Sequence, residues 1–592
     1  MCGITGCIGV ADATSHLLAG LANLEYRGYD SAGVAVADPT GISVCKRSGE
    51  VAQLATALDG GFADGNLGIG HTRWSTHGPP TDANAHPHTS CDDSVAVVHN
   101  GIIDNHESLR DRLQTSGHEF ESDTDTEVVP HLVEDFLAAG DDPETAFRRA
   151  VSELSGSYAI VMLVEGVDRL FATRSGSPLV LGLDDGACYL ASDVPAFLEH
   201  TDSVVYLEDG DVLTATADGY RITDEDGYPV DRPVRTVEWT PEDAEKEGYD
   251  HYMLKEIHEQ PNAVRRAIRG RIDSPIDLPA WLLDRSETVP IHFVACGTSY
   301  HAALYAVELL QQRGIPARAT LASEFVTSPP PLVDESVVVG VTQSGETADT
   351  LAALRRAADA GAYTLAVTNV VGSTAARECD DAIFIRAGPE IGVAATKTFS
   401  SQVATLALVT DRLGGGDRDL TSALVSLPDA LQYVIENTAA ASVARAYAEA
   451  DAYFFVGRGV AHSVALEGAL KLKEISYEHA EGFPAGELKH GPLALVTANT
   501  PVVAIETGSH TERMRGTVEE VQARGAPVIA VTDPGSPVAT VADTVLSVPD
   551  APPAVAGLLA NTQLQLLSYH TARLLDRPVD KPRNLAKSVT VE

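Results

Sequence analysis

A repeated pattern constrains the fold of this chain more than any other feature of its sequence. FVACGTSYHAAL, from Phe293, returns as FFVGRGVAHSVAL, from Phe454, about 160 residues later. Each copy is typical of an apolar strand, a tight polar loop and the start of a helix, and further strands and helices follow it. Repetition of such a unit predicts two copies of one three-layer α/β domain, each a parallel sheet with helices on both faces.

The residues before the repeat have a different pattern, with many short β-like runs. The predicted strands are Gly33–Val36, Val95–His99, Tyr158–Val164 and Cys188–Ser192, with a helix at Glu127–Leu137. A polar stretch at about 222–250 is typical of a linker. Because 592 residues are too many for one hydrophobic core, we predict several domains. They are a first domain at 2–225, a linker with the start of the second half at 226–285, the repeats at 286–425 and 445–576, and an extended tail at 577–592.

The charge of the chain excludes some classes of partner. Acidic residues number 84 against 42 basic ones, a net charge of −42, and nine of the basic residues are lysines. So negative a field repels phosphate backbones, so we predict no nucleic-acid partner. An acidic, lysine-poor surface suits a protein that stays soluble in concentrated salt, although simple acidic drift would give the same composition.

The cysteines and the hydropathy of the chain indicate its compartment. The seven cysteines, at positions 2, 7, 45, 91, 188, 296 and 379, are scattered, odd in number and without a CxxC pair. This pattern favours reduced thiols in a cytosol over a disulfide scaffold or a zinc ribbon. No apolar run approaches the length of about 18 residues that a membrane span needs, and the N-terminus lacks the pattern of a secretory signal. We therefore predict a cytoplasmic protein with no membrane partner.

Cys2 is a candidate nucleophile, because removal of the initiator Met would leave it with both a thiol and a free α-amine. An α-amine has a pKa of about 7.7–8.0 and can act as the base for the adjacent thiol. For this cysteine alone, an ordinary early residue is the simpler interpretation. Six segments reverse that preference, namely CGITGCIG at the start, EYRGYDSAG at 25–33, GHTRWSTHG at 70–78, NAHPH at 84–88, VHNGIIDN at 98–105 and SDTDTE at 122–127.

In this order and spacing the six segments resemble class II glutamine amidotransferase domains, which are N-terminal nucleophile hydrolases. The resemblance implies an αββα glutaminase domain. Acyl transfer needs donors at the developing oxyanion, for which the Asn100 side chain and the Gly101 backbone N–H are suited. Arg73 suits the carboxylate of a glutamine substrate, and Asp125 suits its ammonium group. The resemblance assigns substrate binding and a gate near the thioester to Trp74, Thr76 and His77.

Four histidines in these segments could be mistaken for a metal cluster. They are His71, His77, His86 and His88. An HxH pattern alone is weak evidence for a metal, and the family that the segments resemble uses none here. We predict no metal and no organic cofactor.

Two polar loops predict a phosphate site in the first repeat. TQSGET at 342–347 and CGTS at 296–299 each lie between a buried strand and a helix. Backbone N–H groups and the helix dipole favour an anion there, and Ser344 and Thr347 add hydroxyl donors. Each loop alone is more simply a capping turn, but two on adjacent strands predict phosphate binding at their shared crevice. The second repeat offers only ETGS at 506–509, so we predict one phosphate site per chain.

These loops, with KEIHEQP at 255–261, resemble sugar isomerase (SIS) domains. IGVAATKTF at 391–399, EGALKLKEISYEHAEGFPAGELKHGP at 467–492 and PRNLAKSVTVE at the C-terminus extend the resemblance. The whole chain resembles the isomerizing glutamine–fructose-6-phosphate aminotransferase family. Thr342 and Ala395 stand where the family often has Ser, so we expect one sugar contact to be lost at Ala395. The predicted sugar-phosphate-binding residues are Cys296, Gly297, Thr298, Ser299, Thr342, Gln343, Ser344, Thr347 and Lys471.

The chemistry of a ketose phosphate calls for three further groups. They are an amine for a Schiff base, a base for proton transfer between C1 and C2, and an acid/base for ring opening. The resemblance assigns these roles to Lys587, Glu474 and His490, and an imidazole pKa of about 6.5 suits ring opening. Lys471 and Glu474 are three residues apart and therefore share a helix face, a spacing that a surface salt bridge would also explain. The resemblance places Lys471 near O1 and C1 of the sugar. Arg583 is assigned to ordering the closed site.

The implied activity is conversion of D-fructose 6-phosphate and L-glutamine to D-glucosamine 6-phosphate and L-glutamate. The resemblance further implies internal ammonia transfer, a homodimer and a place at the first step of hexosamine synthesis. A phosphoribosyl amidotransferase would need a pyrophosphate-binding loop and an ATP-dependent one a P-loop, and the sequence has neither. A sugar-phosphate-sensing regulator would need neither Cys2 nor the LAKS tail.

Overall fold

The structure, a computed structural model, describes residues 2–59, 61–75, 77–237, 246–332 and 336–590. It divides into two compact units, Met1–Ala244 with Ala586–Glu592, and Glu245–Leu585. In the described part of the chain, no helix combines the length and hydropathy that crossing a membrane requires.

The first unit contains fourteen described strands and five α-helices. The strands are β1 Gly3–Ile8, β2 Ser31–Asp38, β3 Gly41–Ser48, β4 Leu67–Arg73, β5 His88–Thr89, β6 Val95–Ile103, β7 Gly156–Val164, β8 Leu170–Ser175, β9 Val180–Asp184, β10 Ala187–Ala191, β11 Ser203–Tyr206, β12 Val212–Thr216, β13 Gly219–Thr223 and β14 Arg235–Thr236. The helices are α1 Ala13–Asn23, α2 Val51–Leu58, α3 His106–Ser116, α4 Val128–Ala138 and α5 Pro143–Ser152, with a 3-10 turn at Val194–Ala196.

These strands form two antiparallel sheets that stack face to face. Their orders are β14-β11-β9-β10-β1-β4-β2-β3 and β13-β12-β8-β7-β6-β5. Alternation along β6 and β7 sends Val98 and Val161 into the core between the sheets, while Val97 and Ile160 face α3–α5. Helix α1 packs on β1 and β4 of the other sheet. The layers are therefore αββα, which confirms the predicted architecture.

The second unit contains ten described strands and twelve α-helices. The strands are β15 Ile291–Ala295, β16 Ala317–Leu321, β17 Val337–Val341, β18 Tyr363–Thr368, β19 Asp381–Phe384, β20 Tyr453–Gly457, β21 Ala480–Pro484, β22 Val502–Ile505, β23 Val528–Thr532 and β24 Thr544–Ser547. The helices are α6 Tyr252–Ile268, α7 Ala280–Asp284, α8 Gly297–Gln312, α9 Ala322–Thr327, α10 Ala348–Asp359, α11 Thr374–Glu378, α12 Lys397–Leu413, α13 Arg418–Glu436, α14 Ala440–Ala446, α15 Val460–Ser476, α16 Thr511–Gln522 and α17 Pro553–Leu574, with 3-10 turns at Glu487–His490 and Pro492–Leu495.

The two sheets of this unit have the same topology. Their orders are β16-β15-β17-β18-β19 and β21-β20-β22-β23-β24, and every pair is parallel. Both faces of the central strands are buried: Phe455 and Val503 join a core that spans both repeats, and Phe454 and Val502 pack on the opposite face. This arrangement confirms the predicted tandem parallel sheets.

The beginning of the tail is held by hydrogen bonds within the second unit. The Asp580 carboxylate accepts hydrogen bonds from the backbone N–H groups of Tyr252 (2.9 Å) and Met253 (3.0 Å). Its backbone oxygen also accepts one from Val393 N–H at 3.1 Å. Helix α6 has no acidic residue in its first turn, so Asp580 supplies the negative charge that a helix N-terminus favours.

Candidate functional site

Cys2 immediately precedes β1, the strand that pairs with β4 and β10. The Trp74 backbone N–H donates to the Cys2 Sγ at 3.2 Å. The Cys2 carbonyl oxygen accepts hydrogen bonds from Arg27 Nε (3.2 Å) and Asn100 Nδ2 (3.0 Å). Burial raises the pKa of the Cys2 thiol, and the Trp74 N–H and the Arg73 charge oppose that rise. The neighbours of Cys2 thus fix its backbone and offset part of the rise in the thiol pKa that burial causes.

The Asn100 side chain is oriented at both of its ends. Its Nδ2 also donates to Ser192 Oγ at 2.8 Å, and its Oδ1 lies 3.0 Å from His71 Nε2. Burial lowers the pKa of His71 to about 3, so this ring is neutral and donates through Nε2. The Asn100 amide hydrogens are therefore directed toward Cys2 and Ser192.

Gly101 is a position that only glycine fits. Its φ is +124°, and a Cβ there would lie 1.9 Å from the backbone oxygen of Ser157. The close pairing of β6 with β7 at this point depends on the missing side chain.

Two of the predicted glutamine-binding residues, Arg73 and Asp125, lie close enough to Cys2 for their charges to act on its thiol. Arg73 is buried and donates to the backbone oxygens of Gly78 (3.1 Å), Pro79 (3.3 Å) and His77. Asp125 accepts from the Ile103 N–H at 2.8 Å, and its charge raises the pKa of Cys2.

Trp74 and His77, which are also predicted to bind glutamine, have aromatic neighbours. The Trp74 ring meets Tyr29 edge-on at 5.6 Å, and the His77 ring meets His106 at 5.4 Å. Thr76 lies outside the described residues.

The four histidines noted in the sequence do not converge on a metal-ligand arrangement in the described part of the chain. His71 and His86 stack at 4.1 Å, and His88 Nε2 lies 3.1 Å from Thr124 Oγ1. Burial holds the pKa values of His86 and His88 well below the ordinary range, so both rings are neutral.

In the second unit, the two predicted phosphate loops follow adjacent strands, at the carboxyl ends of those strands. β15 and β17 are adjacent and parallel, and the chain leaves them toward opposite sides of the sheet, to β16 and β18. Such a switch in strand order opens a crevice at the carboxyl ends of the strands.

The 342–347 loop is organised by its own hydroxyl groups. Thr342 Oγ1 accepts from the Gly345 N–H at 3.2 Å and lies 3.0 Å from Thr347 Oγ1. Ser344 Oγ accepts from the Glu346 N–H at 3.1 Å. The Gln343 backbone oxygen accepts from the Asn369 N–H at 3.1 Å. The loop is therefore a fixed turn at the start of α10, with hydroxyl groups at its tip.

The 296–299 segment differs from the sequence prediction. Helix α8 begins at Gly297, not near Tyr300, so the predicted loop is the first helical turn. Ser299 Oγ accepts from Gln402 Nε2 at 2.8 Å in the interior, and Cys296 Sγ lies 3.9 Å from Thr350 Oγ1. These two side chains are engaged in packing. The first-turn N–H groups remain suited to an anion.

Thr298 connects this turn to a buried ionic cluster on α15. Its Oγ1 lies 3.0 Å from both Glu467 Oε1 and Lys471 Nζ. Lys471 also pairs with Glu474 at 2.6 Å, and Glu467 accepts from His301 Nδ1 at 2.8 Å.

The electrostatics of this cluster keep Lys471 charged. Burial lowers the pKa of Lys471, but Glu467 and Glu474 outweigh it and leave the pKa above its usual value. Burial raises the pKa of Glu474, against the opposing effect of Lys471. A carboxylate whose pKa is raised in this way is suited to accept a proton near neutral pH.

The remaining predicted residues lie on segments other than α15. His490 is exposed in a 3-10 turn and, in the described part of the chain, has no hydrogen bond or ion pair with Lys471 or Glu474. Arg583 donates its backbone N–H to Tyr477 Oη at 2.7 Å, and its guanidinium lies 4.4 Å from the centre of that ring. Lys587 is half-buried in the segment grouped with the first unit.

A carboxylate occupies the corresponding place in the second repeat. Glu506 follows β22 as Thr342 follows β17, and its oxygens accept hydrogen bonds from the Gly508 N–H (2.6 Å) and from Thr511 (2.9 Å), Thr532 (2.7 Å) and Ser536 (2.8 Å). The Glu506 carboxylate therefore takes up the hydrogen-bond donors that a bound phosphate would need. The structure thus gives a physical reason for the prediction of one phosphate site per chain.

Sequence reasoning missed Arg27 and Ser192, which hold the Cys2 carbonyl and the Asn100 amide. Arg27 belongs to the EYRGYDSAG segment and pairs with Asp193 at 3.3 Å. Ser192 ends a predicted strand and accepts from the Ile4 N–H at 2.8 Å. The available signals were the EYRGYDSAG segment for Arg27 and the predicted strand for Ser192, but neither residue had been given a role.

Comparisons with known proteins cover both halves of the chain. The glutamine amidotransferase domain family matches residues 71–199, and the SIS domain family matches 287–411 and 446–575. Over 100% of both chains, the sequence is 53% identical to the glutamine–fructose-6-phosphate aminotransferase (isomerizing) of Halobacterium salinarum. It is 46% identical, also over 100% of both chains, to the protein of that name from Thermus thermophilus. A solved structure, the C-terminal domain of glucosamine-fructose-6-phosphate aminotransferase from Francisella tularensis, aligns with a TM-score of 0.54 and 37% identity over 57% of this chain and 100% of that chain.

Proposed function

Because the chain belongs to the isomerizing glutamine–fructose-6-phosphate aminotransferase family, we propose that it converts D-fructose 6-phosphate and L-glutamine to D-glucosamine 6-phosphate and L-glutamate. The observation that carries the proposal is the occurrence in one chain of two sites. One is Cys2 with the Asn100 amide beside it, and the other is the pair of phosphate loops beside the Lys471–Glu474 pair. A glutaminase alone would not need the second site, and a sugar isomerase alone would not need the first.

In the glutaminase half, Cys2 is the nucleophile once Met1 is removed, and its α-amine is the base. The Asn100 amide and the Gly101 N–H stabilise the oxyanion of the tetrahedral intermediate. Arg73 and Asp125 hold the charged ends of glutamine. Hydrolysis of the thioester then releases glutamate, and ammonia passes internally to the sugar. The remaining glutamine-binding residues are Trp74, Thr76 and His77.

In the isomerase half, the phosphate binds between the two loops at the switch point, where Ser344 and Thr347 offer hydroxyl donors. Thr298 is proposed to contribute its backbone N–H, because its hydroxyl donates to Glu467. The further loop residues of the site are Cys296, Gly297, Ser299, Thr342 and Gln343. Cys296 and Ser299 are proposed to contribute through their backbone N–H groups, since their side chains pack inside.

Three residues carry the proton and carbonyl chemistry in this proposal. Lys587 forms the Schiff base with the open-chain ketose, and His490 opens the ring. Glu474 moves the proton between C1 and C2, with Lys471 beside it as a cation. Because His490 is exposed, it would have to reach the sugar from the surface of the unit.

The oligomeric state, compartment and domain limits that we propose are those that the sequence predicts. We propose a homodimer in the cytoplasm, acting at the first step of hexosamine synthesis, with domain limits at 2–225, 286–425 and 445–576. The seven cysteines are free thiols, which a reducing cytosol maintains.

The proposal is tested by measuring glutamate release and glucosamine 6-phosphate formation with Cys2→Ala and a matched control, Cys45→Ala. Cys45 is a half-buried thiol on β3 with no place in the proposed chemistry. Cys2→Ala should abolish glutamate release yet leave isomerisation of fructose 6-phosphate intact, while Cys45→Ala should retain both. Glutamine-dependent product from Cys2→Ala would exclude Cys2 as the nucleophile. A wild-type protein without sugar conversion would exclude the proposed function.

A further inference from the structure

Four potential metal ligands meet on the first unit, away from the residues proposed to bind glutamine. They are Cys91 in the turn between β5 and β6, His118 just after α3, and His131 and Glu134 on α4. One donor atom from each lies within 4.8 Å of the others. No other such group of three or more ligands occurs among the described residues.

The distances between these donor atoms match a tetrahedral ion. Cys91 Sγ lies 3.5 Å from His118 Nδ1 and 3.6 Å from His131 Nδ1. Glu134 Oε2 lies 3.2 Å from His118 Nδ1 and 3.4 Å from His131 Nδ1. Zinc bonds of about 2.0–2.3 Å in a tetrahedron place neighbouring ligand atoms about 3.3–3.7 Å apart.

The outer nitrogens of both imidazoles face carboxylates. His118 Nε2 lies 2.9 Å from Asp135 Oδ1, and His131 Nε2 lies 3.8 Å from Glu127 Oε1. At His118 this carboxylate is within hydrogen-bond distance, so it favours the tautomer with hydrogen on Nε2 and leaves the Nδ1 lone pair for a metal. The His131 separation is too long for a hydrogen bond, and among the described residues His131 Nε2 has no hydrogen-bond partner. In the tautomer favoured at His118, the lone pair of His118 Nδ1 faces another acceptor, Glu134 Oε2, at 3.2 Å, and a cation bound between them would make the contact favourable.

We propose that Cys91, His118, His131 and Glu134 bind one Zn²⁺ in a structural site. A thiolate, two imidazoles and a carboxylate suit zinc better than magnesium or calcium, which prefer oxygen ligands alone. Four protein ligands close the coordination sphere, which is typical of structural rather than catalytic zinc. The ion would join the β5–β6 turn to both ends of the connection from α3 to α4. That connection carries Asp125, so the ion would hold in place the segment that contacts the proposed glutamine site.

The site departs from the sequence-based prediction of no metal for a physical reason. Its ligands come from three separate segments, and only His131 and Glu134 are near neighbours, three residues apart on a helix. No motif of paired cysteines or histidines in the sequence indicates a site built from these four residues.

The first experiment measures zinc binding to the full-length protein after chelator treatment, by competition with a chromophoric chelator. Wild type should bind one Zn²⁺ per chain, and Cys91→Ser and His118→Gln should bind it at least tenfold more weakly. Asp135→Asn, which keeps every ligand, should weaken binding about 10- to 100-fold. Cys45→Ser is the matched control and should bind as wild type does. Equal binding by wild type and Cys91→Ser would overturn the proposal.

A second measurement reports on the ligands directly. Co²⁺ in place of Zn²⁺ should give a tetrahedral visible spectrum with a thiolate charge-transfer band. The band should be absent in Cys91→Ser and present in Cys45→Ser and Cys2→Ala, which separates this thiol from the one at the N-terminus. Zinc should also raise the melting temperature of wild type but not of Cys91→Ser. A wild-type protein with no tetrahedral spectrum and no thermal shift would mean that the cluster is hydrogen-bonded without a metal.

Discussion

At the scale of single residues, the missing side chain of Gly101 gives the sharpest test of the proposed oxyanion site. A Cβ at this position would meet the Ser157 oxygen at 1.9 Å, so Gly101→Ala must displace β6 beside Cys2. Loss of one oxyanion donor costs about 100- to 1,000-fold in rate. We therefore expect glutamate release by Gly101→Ala to fall at least about 100-fold, with isomerisation of the sugar unchanged.

Gly140 provides the control for this substitution. Its φ is +101°, but a Cβ there has no atom within 4 Å. Gly140→Ala should cost about 1–2 kcal/mol of stability from the unfavourable φ alone and should keep its glutaminase rate. Near wild-type glutamate release from Gly101→Ala would remove the 101 N–H from the mechanism.

The Lys471–Glu474 pair predicts how sugar isomerisation depends on pH. Burial raises the pKa of Glu474 above its ordinary value of 4.5, and Lys471 opposes that rise. A base must be ionised to work, so the rate should fall as pH decreases through this raised pKa. Lys471→Met removes the opposing cation and should move the acid limb of the pH–rate profile to higher pH. The exposed neighbour Lys473 supplies the control, because Lys473→Met should leave the limb in place.

The same measurement can contradict the assignment. An acid limb that stays at one pH in wild type and in Lys471→Met would show that Glu474 is not the titrating base. A Glu474→Gln variant that keeps its isomerisation rate would show that this carboxylate is not a base at all.

At the residue level, the sequence permits assignments where a local segment carries the chemistry. Cys2, Asn100 and Gly101 lie in segments whose residue types fit acyl transfer, and the structure gathers Cys2 and Asn100 in hydrogen-bond contact. Arg27 and Ser192 could not be assigned because their partners are distant in sequence. Only the register of β1 against β10 brings Ser192 to Asn100.

At the scale of elements, the duplicated sheets show why one sequence pattern gives two different crevices. Both repeats have the same strand order, but Thr342 follows β17 where Glu506 follows β22. The Glu506 carboxylate accepts four hydrogen bonds from its own loop and neighbouring strand. The topology was predictable from the repeat, whereas the filling of the second crevice depends on the orientation of one side chain.

This difference predicts unequal effects of matching serine substitutions. Ser344→Ala removes a hydroxyl donor from the phosphate loop of the first repeat, and hydrogen bonds to charged groups contribute about 1.5–3 kcal/mol. The KM for fructose 6-phosphate should therefore rise roughly tenfold or more. Ser509→Ala, in the corresponding loop of the second repeat, should leave KM unchanged. Equal increases in both variants would contradict the assignment of phosphate to the first repeat.

The residue at which α8 begins could not be predicted from the sequence. Gly297, Thr298 and Ser299 are weak helix formers, which is why the pattern predicted a loop up to Tyr300. In the structure Ser299 is buried against Gln402, and this tertiary contact together with α8 packing outweighs local preference. The ligands of the proposed zinc site were hidden for a related reason, since three elements supply them.

At the scale of the whole molecule, the two proposed reactions need coordination. Ammonia that escapes to water is lost, so cleavage of glutamine is useful only when the sugar is bound. Coupling of this kind requires that the sugar favour one state of the protein over another. The tail is the candidate element, because Lys587 lies in it and is proposed to bond to the sugar. The described tail residues after Arg577 form no helix or strand, and contacts such as those of Asp580 hold them in place.

We therefore expect fructose 6-phosphate to stimulate glutamate release in the intact protein. A sugar held through its phosphate by Ser344 and Thr347, and through its carbonyl carbon by Lys587, would fix the tail in one conformation. Removal of residues 583–592 should abolish both sugar conversion and the stimulation while leaving basal glutaminase activity. Lys587→Met, which keeps the length of the tail, should behave in the same way because it cannot form the Schiff base. Glutamate release would be assayed with and without fructose 6-phosphate in all three proteins, and stimulation of the truncated protein to the wild-type degree would show that the tail does not couple the sites.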